Sequence, residues 1–135
     1  MNKQPTKTIW PIVHYLDAPA AIEFLTGAFG FTASLVIPSG DDPAVIQHAE
    51  LRWPEGGGIM VSSANRPENP YSQLPTGRSR AYIVTDHPDR IHDHAIAAGA
   101  ELHTPLTDED YGSRGFSVTD PEGNIWDFGT YAGQP

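Results

Sequence analysis

Two segments of the chain share one pattern at a fixed distance, and this repeat limits the folds open to the sequence. An Asp, a Pro, an Ile and a Gly recur in the same order 69 positions later: Asp17, Pro19, Ile22 and Gly30 match Asp86, Pro88, Ile91 and Gly99. Asp is a frequent helix N-cap, Pro is favoured in the first helical turn, and Gly commonly ends a helix. The repeat therefore predicts two equivalent units, each containing one helix that is capped and terminated in the same way.

Strand patterns surround each predicted helix in the same order. One strand precedes the helix and three follow it, at 8–15, 31–37, 44–52 and 59–63, and again at 80–85, 100–106, 113–119 and 124–131. The helices carry apolar stripes formed by Ile22, Leu25 and Phe29 and by Ile91, Ala95 and Ala98. We expect one domain over 1–135, with module one at about 8–63, a Pro-containing linker at 64–78 and module two at about 79–131.

The strongest local signal is a hairpin near the C-terminus. Asp120-Pro-Glu-Gly-Asn124 combines residues that favour a tight turn, and β-rich runs flank it. Alternation in the second strand places Ile125, Asp127 and Gly129 on one face and Trp126 and Phe128 on the other. A carboxylate thus shares a face with small or aliphatic residues, opposite an aromatic face.

The stretch 112–128, G-S-R-G-F-S-V-T-D-P-E-G-N-I-W-D-F, resembles the closing hairpin of the vicinal oxygen chelate superfamily, in its glyoxalase/bleomycin-resistance and PhnB-like branch. That resemblance implies an α+β fold in which two βαβββ modules form a curved mixed-sheet cup. It also implies a ligand site inside the cup, and a homodimer whose grooves form between chains, as in bleomycin-resistance proteins.

The resemblance can be tested against the metal positions of the superfamily. Metal-using members carry His, Glu or Gln, His and Glu at four positions, which fall here at Trp10, near Met60, at Ser79 or Arg80, and at Asp127. Only Asp127 can ligate a divalent ion, and such an ion needs several converging ligands. We therefore expect no metal or other cofactor.

The residues facing the cup indicate an organic ligand instead. We expect a lining that includes Trp10, His14, Met60 and Asp127, because apolar and aromatic groups with few polar anchors are typical of ligand pockets. The inward face of strand five is either Ser79, Ala81 and Ile83 or Arg80, Tyr82 and Val84. The candidate ligand-binding residues are Trp10, His14, Met60, Arg80, Tyr82, Arg114 and Asp127.

Two of these residues have alternative interpretations. Arg114 belongs to a loop that lies at the cup mouth in related proteins, or it is a solvated partner of an acidic residue. Asp127 could bind hairpin backbone, anchor a ligand, or act as a base near His14. The other five His residues are interpreted as surface or half-buried side chains.

Composition excludes several classes of function. The net charge of −9 argues against nucleic-acid and anionic-membrane partners, and the absence of Cys excludes disulfides and thiolate chemistry. No long apolar run or leader is visible, so we expect a cytoplasmic protein.

The favoured function is metal-free sequestration of a small organic, antibiotic-like ligand by a homodimer. The alternatives are a metal-dependent lyase, isomerase or dioxygenase of the same superfamily, a metal-free catalyst using His14 and Asp127, and a closed cup with an interaction role.

Overall fold

The computed structural model describes residues 9–135 as two four-stranded mixed sheets with few helices. The first half contains, in order, β1 Ile12–Tyr15, α1 Ala18–Phe24, β2 Thr32–Pro38, β3 Ile46–Arg52 and β4 Gly58–Ser63. The second half contains, in the same order, β5 Arg80–Val84, α2 Pro88–Ala97, β6 Glu101–Asp108, β7 Arg114–Thr119 and β8 Ile125–Gly129. The predicted α+β fold class is confirmed. The prediction that the first strand covers 8–15 is wrong at residues 9–11, because β1 begins at Ile12, while Thr8 lies outside the described residues.

Both sheets have the same strand order. In the first it is β1-β4-β3-β2, in the second it is β5-β8-β7-β6, and the only parallel pair in each joins the strand before the helix to the last strand. The connection between the halves carries a short 3₁₀ helix over Pro70–Gln73, where sequence predicted an unpatterned linker. The predicted hairpin is formed by β7 and β8, with Ser117 opposite Asp127.

The two helices begin differently, although their sequences match. The Asp17 side chain accepts a hydrogen bond from the Ala20 amide at 3.2 Å, as predicted for an N-cap. The equivalent prediction for Asp86 is wrong, because His87 is the residue before α2 and no side chain caps it. The predicted burial of Ala98 is also wrong, because this residue lies at the exposed C-terminus of α2. Within residues 9–135, no helix has the length and apolar character needed to cross a membrane.

One face of each sheet packs on the helices, and we call it the helix-facing face. Val13, Tyr15 and Val61 lie on it in the first sheet, and Trp126 and Phe128 lie on it in the second. Aromatic rings join the two halves into one core: the ring centroids of Phe29 and Phe128 are 5.0 Å apart, and those of Trp53 and Phe128 are 5.7 Å apart. We call the opposite side of each sheet its open face, because its side chains are not covered by α1 or α2.

Two glutamates tie the halves together by crossed contacts. The Glu122 carboxylate, in the β7–β8 turn, accepts from the backbone amides of Leu16 and Asp17 at 2.8 and 2.9 Å. The Glu55 carboxylate, in the β3–β4 turn, accepts from the Thr85 hydroxyl at 2.6 Å and the Asp86 amide at 2.9 Å. Each turn thus satisfies donors just before the helix of the other half. The sequence carries a signal for this relationship in a second repeat, Pro-Glu-Gly at 54–56 and at 121–123.

Asp120 is a buried polar centre beneath the second turn. Its carboxylate accepts from the Tyr15 hydroxyl at 2.6 Å and from the Trp126 indole at 3.1 Å. Three further donors come from the turn itself, namely the amides of Glu122 and Asn124 and the Asn124 side chain. Burial, followed by the neighbouring Asp120 charge, raises the pKa of Tyr15. The turn and β1 are therefore held by one shared carboxylate.

Candidate ligand-binding site

The register of β5 decides which of its residues lie on the open face. Ala81 and Ile83 are half-buried against the core, whereas Arg80, Tyr82 and Val84 are exposed. Because β5 pairs with β8 in parallel, Tyr82 lies opposite Asp127. Of the two alternatives that the sequence left open, the structure therefore has Arg80, Tyr82 and Val84 on the open face.

Asp127, the residue that the resemblance places at the last metal position, forms an ion pair with Arg80. The Arg80 Nε atom donates to Asp127 Oδ2 at 2.6 Å. The Asp127 side chain is 16 % exposed and that of Arg80 is 72 % exposed, so the carboxylate lies below the guanidinium. The hydrogen bond to Asp127 raises the pKa of Arg80. Among residues 9–135, no three His, Asp or Glu side chains are grouped closely enough to hold a metal ion, so the donor set does not fit one.

A cavity of about 270 Å³ lies beside this ion pair. Its floor contains Gly115 and Gly129, which face each other across β7 and β8. A Cβ atom added at residue 129 would be 2.6 Å from the Tyr82 hydroxyl, so glycine is needed for the Tyr82 ring to lie against β8. The Tyr82 ring covers Gly129, whereas Gly115 is partly exposed and leaves bare backbone on which a flat group can rest beside that ring.

Tyrosines form one wall of the cavity region. The Tyr82 hydroxyl donates to the Tyr131 carbonyl at 2.7 Å, and the rings of Tyr111 and Tyr131 meet edge to face at 5.7 Å. Burial raises the pKa of Tyr82, so its hydroxyl stays protonated and acts as a donor. Sequence reasoning missed Tyr111, Tyr131 and the two glycines. The only signal was their position near the hairpin, since the contacts join segments that are far apart in the chain.

His14 and Met60 lie in the other sheet, and Trp10 lies in the segment just before β1. Trp10 packs against Gly58, and the Arg52 guanidinium lies 4.6 Å from the centre of its ring. His14 and Met60 are half-buried on the open face of the first sheet. Burial, followed by the nearby charge of Arg66, lowers the pKa of His14, which favours a neutral imidazole. The 270 Å³ cavity is lined by residues of the second half, so the predicted site residues form two groups.

Arg114 is separated from both groups. Its Nε and Nη2 atoms donate to the two carboxylate oxygens of Asp89 in α2, at 2.8 and 3.1 Å, and Nη1 lies 3.2 Å from Asp108. The residue shares the helix-facing side of β7 with Phe116. Of the two interpretations of Arg114, a loop residue at the cup mouth or a partner of an acidic residue, the structure thus favours the second.

A larger cavity of about 500 Å³ lies where the two halves meet. Its lining includes Trp53 and Trp126 from the core and the edge of β5 from Ala81 to Val84. The Trp53 indole donates to the Val84 carbonyl at 3.1 Å, so this acceptor on the edge of β5 already has a partner within the chain. The polar side chains in this lining are few, and Glu55 already binds Thr85 and Asp86. We therefore place the candidate site on the open face of the second sheet.

Comparison with known proteins identifies the family. A model of the Glyoxalase/Bleomycin resistance protein/Dioxygenase superfamily matches residues 12–128. The chain belongs to this superfamily. No curated protein sequence matches it.

Several solved structures resemble the chain over most of its length. TioX from Micromonospora sp. ML1 has 27% identity and a TM-score of 0.74, covering 90% of this chain and 98% of TioX. A superfamily enzyme from Burkholderia phytofirmans PsJN has 20% identity and a TM-score of 0.65, covering 89% and 94%. A glyoxalase/bleomycin resistance protein from Streptomyces sp. CB03234 has 18% identity and a TM-score of 0.65, covering 87% and 94%. The last two likenesses concern the fold alone.

Proposed function

We propose that this superfamily member binds a small organic molecule without a metal, and so sequesters or carries it. The observation that carries the proposal is the Arg80–Asp127 ion pair at the position where metal-using members place their last ligand. A guanidinium at this point repels a divalent cation and engages the carboxylate that would bind it. The proposal assigns the chain to the bleomycin-resistance and PhnB-like branch, and it favours an aromatic, antibiotic-like ligand.

The open face of the second sheet has the chemistry of an organic-ligand site. Tyr82 and Tyr111 offer aromatic surface, while the Arg80–Asp127 pair offers fixed polar groups. Pockets for small molecules generally combine these features. Neither Arg80 nor Asp127 is placed as a nucleophile or as a base with a substrate, so the proposal involves no covalent step.

We extend the proposal to a homodimer in which the first sheet of a second copy covers this cavity. The cavity is lined by one half of the chain and lies on an open face. The first sheet exposes apolar residues suited to such a contact, among them Ile12 at 61 % exposure. In that arrangement Trp10, His14 and Met60 of one copy would complete the lining formed by Arg80, Tyr82 and Asp127 of the other.

Metal analysis and ligand titration test the proposal together. The purified protein is incubated with Zn, Ni, Mn and Fe(II), dialysed and analysed for metal, and we expect no stoichiometric retention. Stoichiometric metal that is lost in Asp127→Ala would overturn the proposal and favour the lyase, isomerase or dioxygenase alternative. In parallel, aromatic compounds are screened by calorimetry, and we expect saturable binding that weakens in Tyr82→Ala and persists in Arg114→Gln.

The dimer is tested by sedimentation and by tryptophan fluorescence. Trp53 and Trp126 are buried, and Trp10 is the half-exposed tryptophan. If Trp10 of a second copy covers the cavity, a bound ligand will change the emission of the wild type, and Trp10→Phe will remove most of that change. A monomer in sedimentation experiments, or an unchanged response in Trp10→Phe, would contradict the arrangement.

A further inference from the structure

We infer that the cavity on the second sheet takes an aromatic compound carrying an oxyanion, with the oxyanion on Arg80 and the ring over Gly115, beside the Tyr82 ring that covers Gly129. This inference rests on the proposed binding function and specifies the class of ligand. It uses three features of the cavity: the free edge of a fixed guanidinium, the glycine floor and the tyrosine wall.

The Arg80 guanidinium is fixed on one side and free on the other. Asp127 engages Nε at 2.6 Å, while the structure of residues 9–135 gives the two terminal nitrogens no hydrogen-bonded partner. A planar guanidinium presents parallel N–H donors that match the two oxygens of a carboxylate or sulfonate. Because Asp127 already restrains the side chain, a ligand oxyanion meets donors that have lost part of their rotational freedom.

The same geometry disfavours a cationic ligand. Asp127 is the acidic group nearest to Arg80, but it lies beneath the guanidinium and is only 16 % exposed. A ligand cation would have to displace Arg80 from a 2.6 Å charge-assisted bond before reaching the carboxylate. An anion instead adds to the exposed edge of Arg80 and leaves the ion pair intact. Glu109 also lines the cavity and would repel an anion placed near the β6–β7 loop, so the oxyanion is assigned to the Arg80 end.

The glycine floor sets the position of the ring. Tyr82 follows Arg80 by two residues on the same face of β5, which separates their Cα atoms by roughly 7 Å. Its ring is held against Gly129 by the close fit there and by the hydrogen bond from its hydroxyl to the Tyr131 carbonyl. An aromatic ring lying over Gly115 would contact the Tyr82 ring at one edge while its acid substituent reaches Arg80.

Two fluorescent probes that differ by one charged group test the inference. Anilinonaphthalene sulfonate carries an oxyanion, and phenylnaphthylamine is its uncharged parent. Titrations use the wild type, Arg80→Gln, Arg80→Lys and the control Arg114→Gln, whose guanidinium is bound to Asp89. We expect Arg80→Gln to weaken the sulfonate by about tenfold, the effect of losing one charge-assisted interaction, and to change phenylnaphthylamine little. Arg80→Lys should give an intermediate loss, and Arg114→Gln should change neither probe.

The other possible results separate failure of the oxyanion assignment from failure of the proposed binding function. If Arg80→Gln leaves the sulfonate unchanged, or weakens both probes equally, the oxyanion assignment is overturned while the binding function stands. Gly129→Val displaces the Tyr82 ring from β8 and should weaken both probes, and unchanged binding in this variant would overturn the assigned position. If neither probe binds a wild type that is folded by circular dichroism, this inference is overturned, and failure of the wider aromatic screen would then also overturn the proposed function.

Discussion

Glu55 and Glu122 hold equivalent positions in the two halves of the chain, and each binds backbone donors that belong to the other half. Glu122 receives the amides of Leu16 and Asp17, and Glu55 receives the Asp86 amide and the Thr85 hydroxyl. Each carboxylate lies near the N-terminus of a helix, where backbone dipoles favour negative charge. The repeat therefore provides more than two similar units, because its turns form the polar contacts that hold the units together.

Removing either charge should destabilise the protein by a similar amount. We expect Glu55→Gln and Glu122→Gln each to lower the free energy of unfolding by about 1 kcal/mol, the usual size of a lost capping interaction. Chemical denaturation with an unchanged m-value measures the effect. Glu101→Gln is the matched control, since Glu101 is exposed on β6. A loss as large in the control, or none in either cap variant, would contradict this role.

The Glu55 contact also predicts a dependence on pH. Burial alone would raise the pKa of Glu55, but the hydrogen bonds from Thr85 and Asp86 outweigh it and hold the pKa below its ordinary value of 4.5. The folded state thus favours the ionised form, so this contribution is complete above the unfolded pKa and is lost as pH falls through the folded pKa. We expect the stability difference between wild type and Glu55→Gln to shrink on acidification below about 4.5. A difference that stays constant down to low pH would refute this explanation.

The sequence predicted what depends on local pattern and missed what depends on distant contacts. Alternation correctly placed Asp127 and Gly129 opposite Trp126 and Phe128, because one face of β8 is buried. For β5, both candidate faces contain apolar residues, so the pattern could not choose between Ala81 and Tyr82. The Asp86 cap was also not determined by local pattern: Glu55 binds the Asp86 amide as Glu122 binds that of Asp17, yet only Asp17 caps its helix, and α2 begins after His87.

Candidate site residues show the same limit. Asp127 was identified from the hairpin motif, whereas Arg80 and Tyr82 were candidates on one of two possible faces of β5, and the structure brings these three together. Tyr111 and Tyr131 were not identified, since their contact depends on how the β6–β7 loop meets the segment after β8. Arg114 follows the motif, yet an acidic residue in α2, Asp89, binds it from the helix-facing side.

The buried Tyr15–Asp120 contact should contribute more than an ordinary surface bond. Tyr15→Phe removes a 2.6 Å hydrogen bond to a buried carboxylate and retains the ring. We expect a loss of about 1.5–3 kcal/mol, the range for hydrogen bonds to charged groups. The control is Tyr71→Phe, because Tyr71 is 72 % exposed. Equal denaturation midpoints for wild type and Tyr15→Phe would show that Asp120 is satisfied by its other donors.

The two floor glycines should respond differently to the same substitution. A Cβ at residue 115 would lie 2.5 Å from the Phe128 carbonyl oxygen, so the backbone of β8 would have to move. A Cβ at residue 129 would meet the hydroxyl end of Tyr82, which can swing away. We expect Gly115→Ala to cost about 1–3 kcal/mol of stability, as overpacking does, and Gly129→Ala to cost less while weakening binding of an aromatic probe.

Denaturation and fluorescence titration on the same preparations separate these two effects. Gly40→Ala is the control for both, because a Cβ there meets no atom within 4 Å and the loop between β2 and β3 is far along the chain from the cavity lining. If Gly129→Ala destabilises the protein more than Gly115→Ala, then Tyr82 is held more firmly than a flexible side chain would be. If Gly129→Ala leaves probe binding intact, the bound probe does not contact the Tyr82 ring, and the binding surface must lie elsewhere on the sheet.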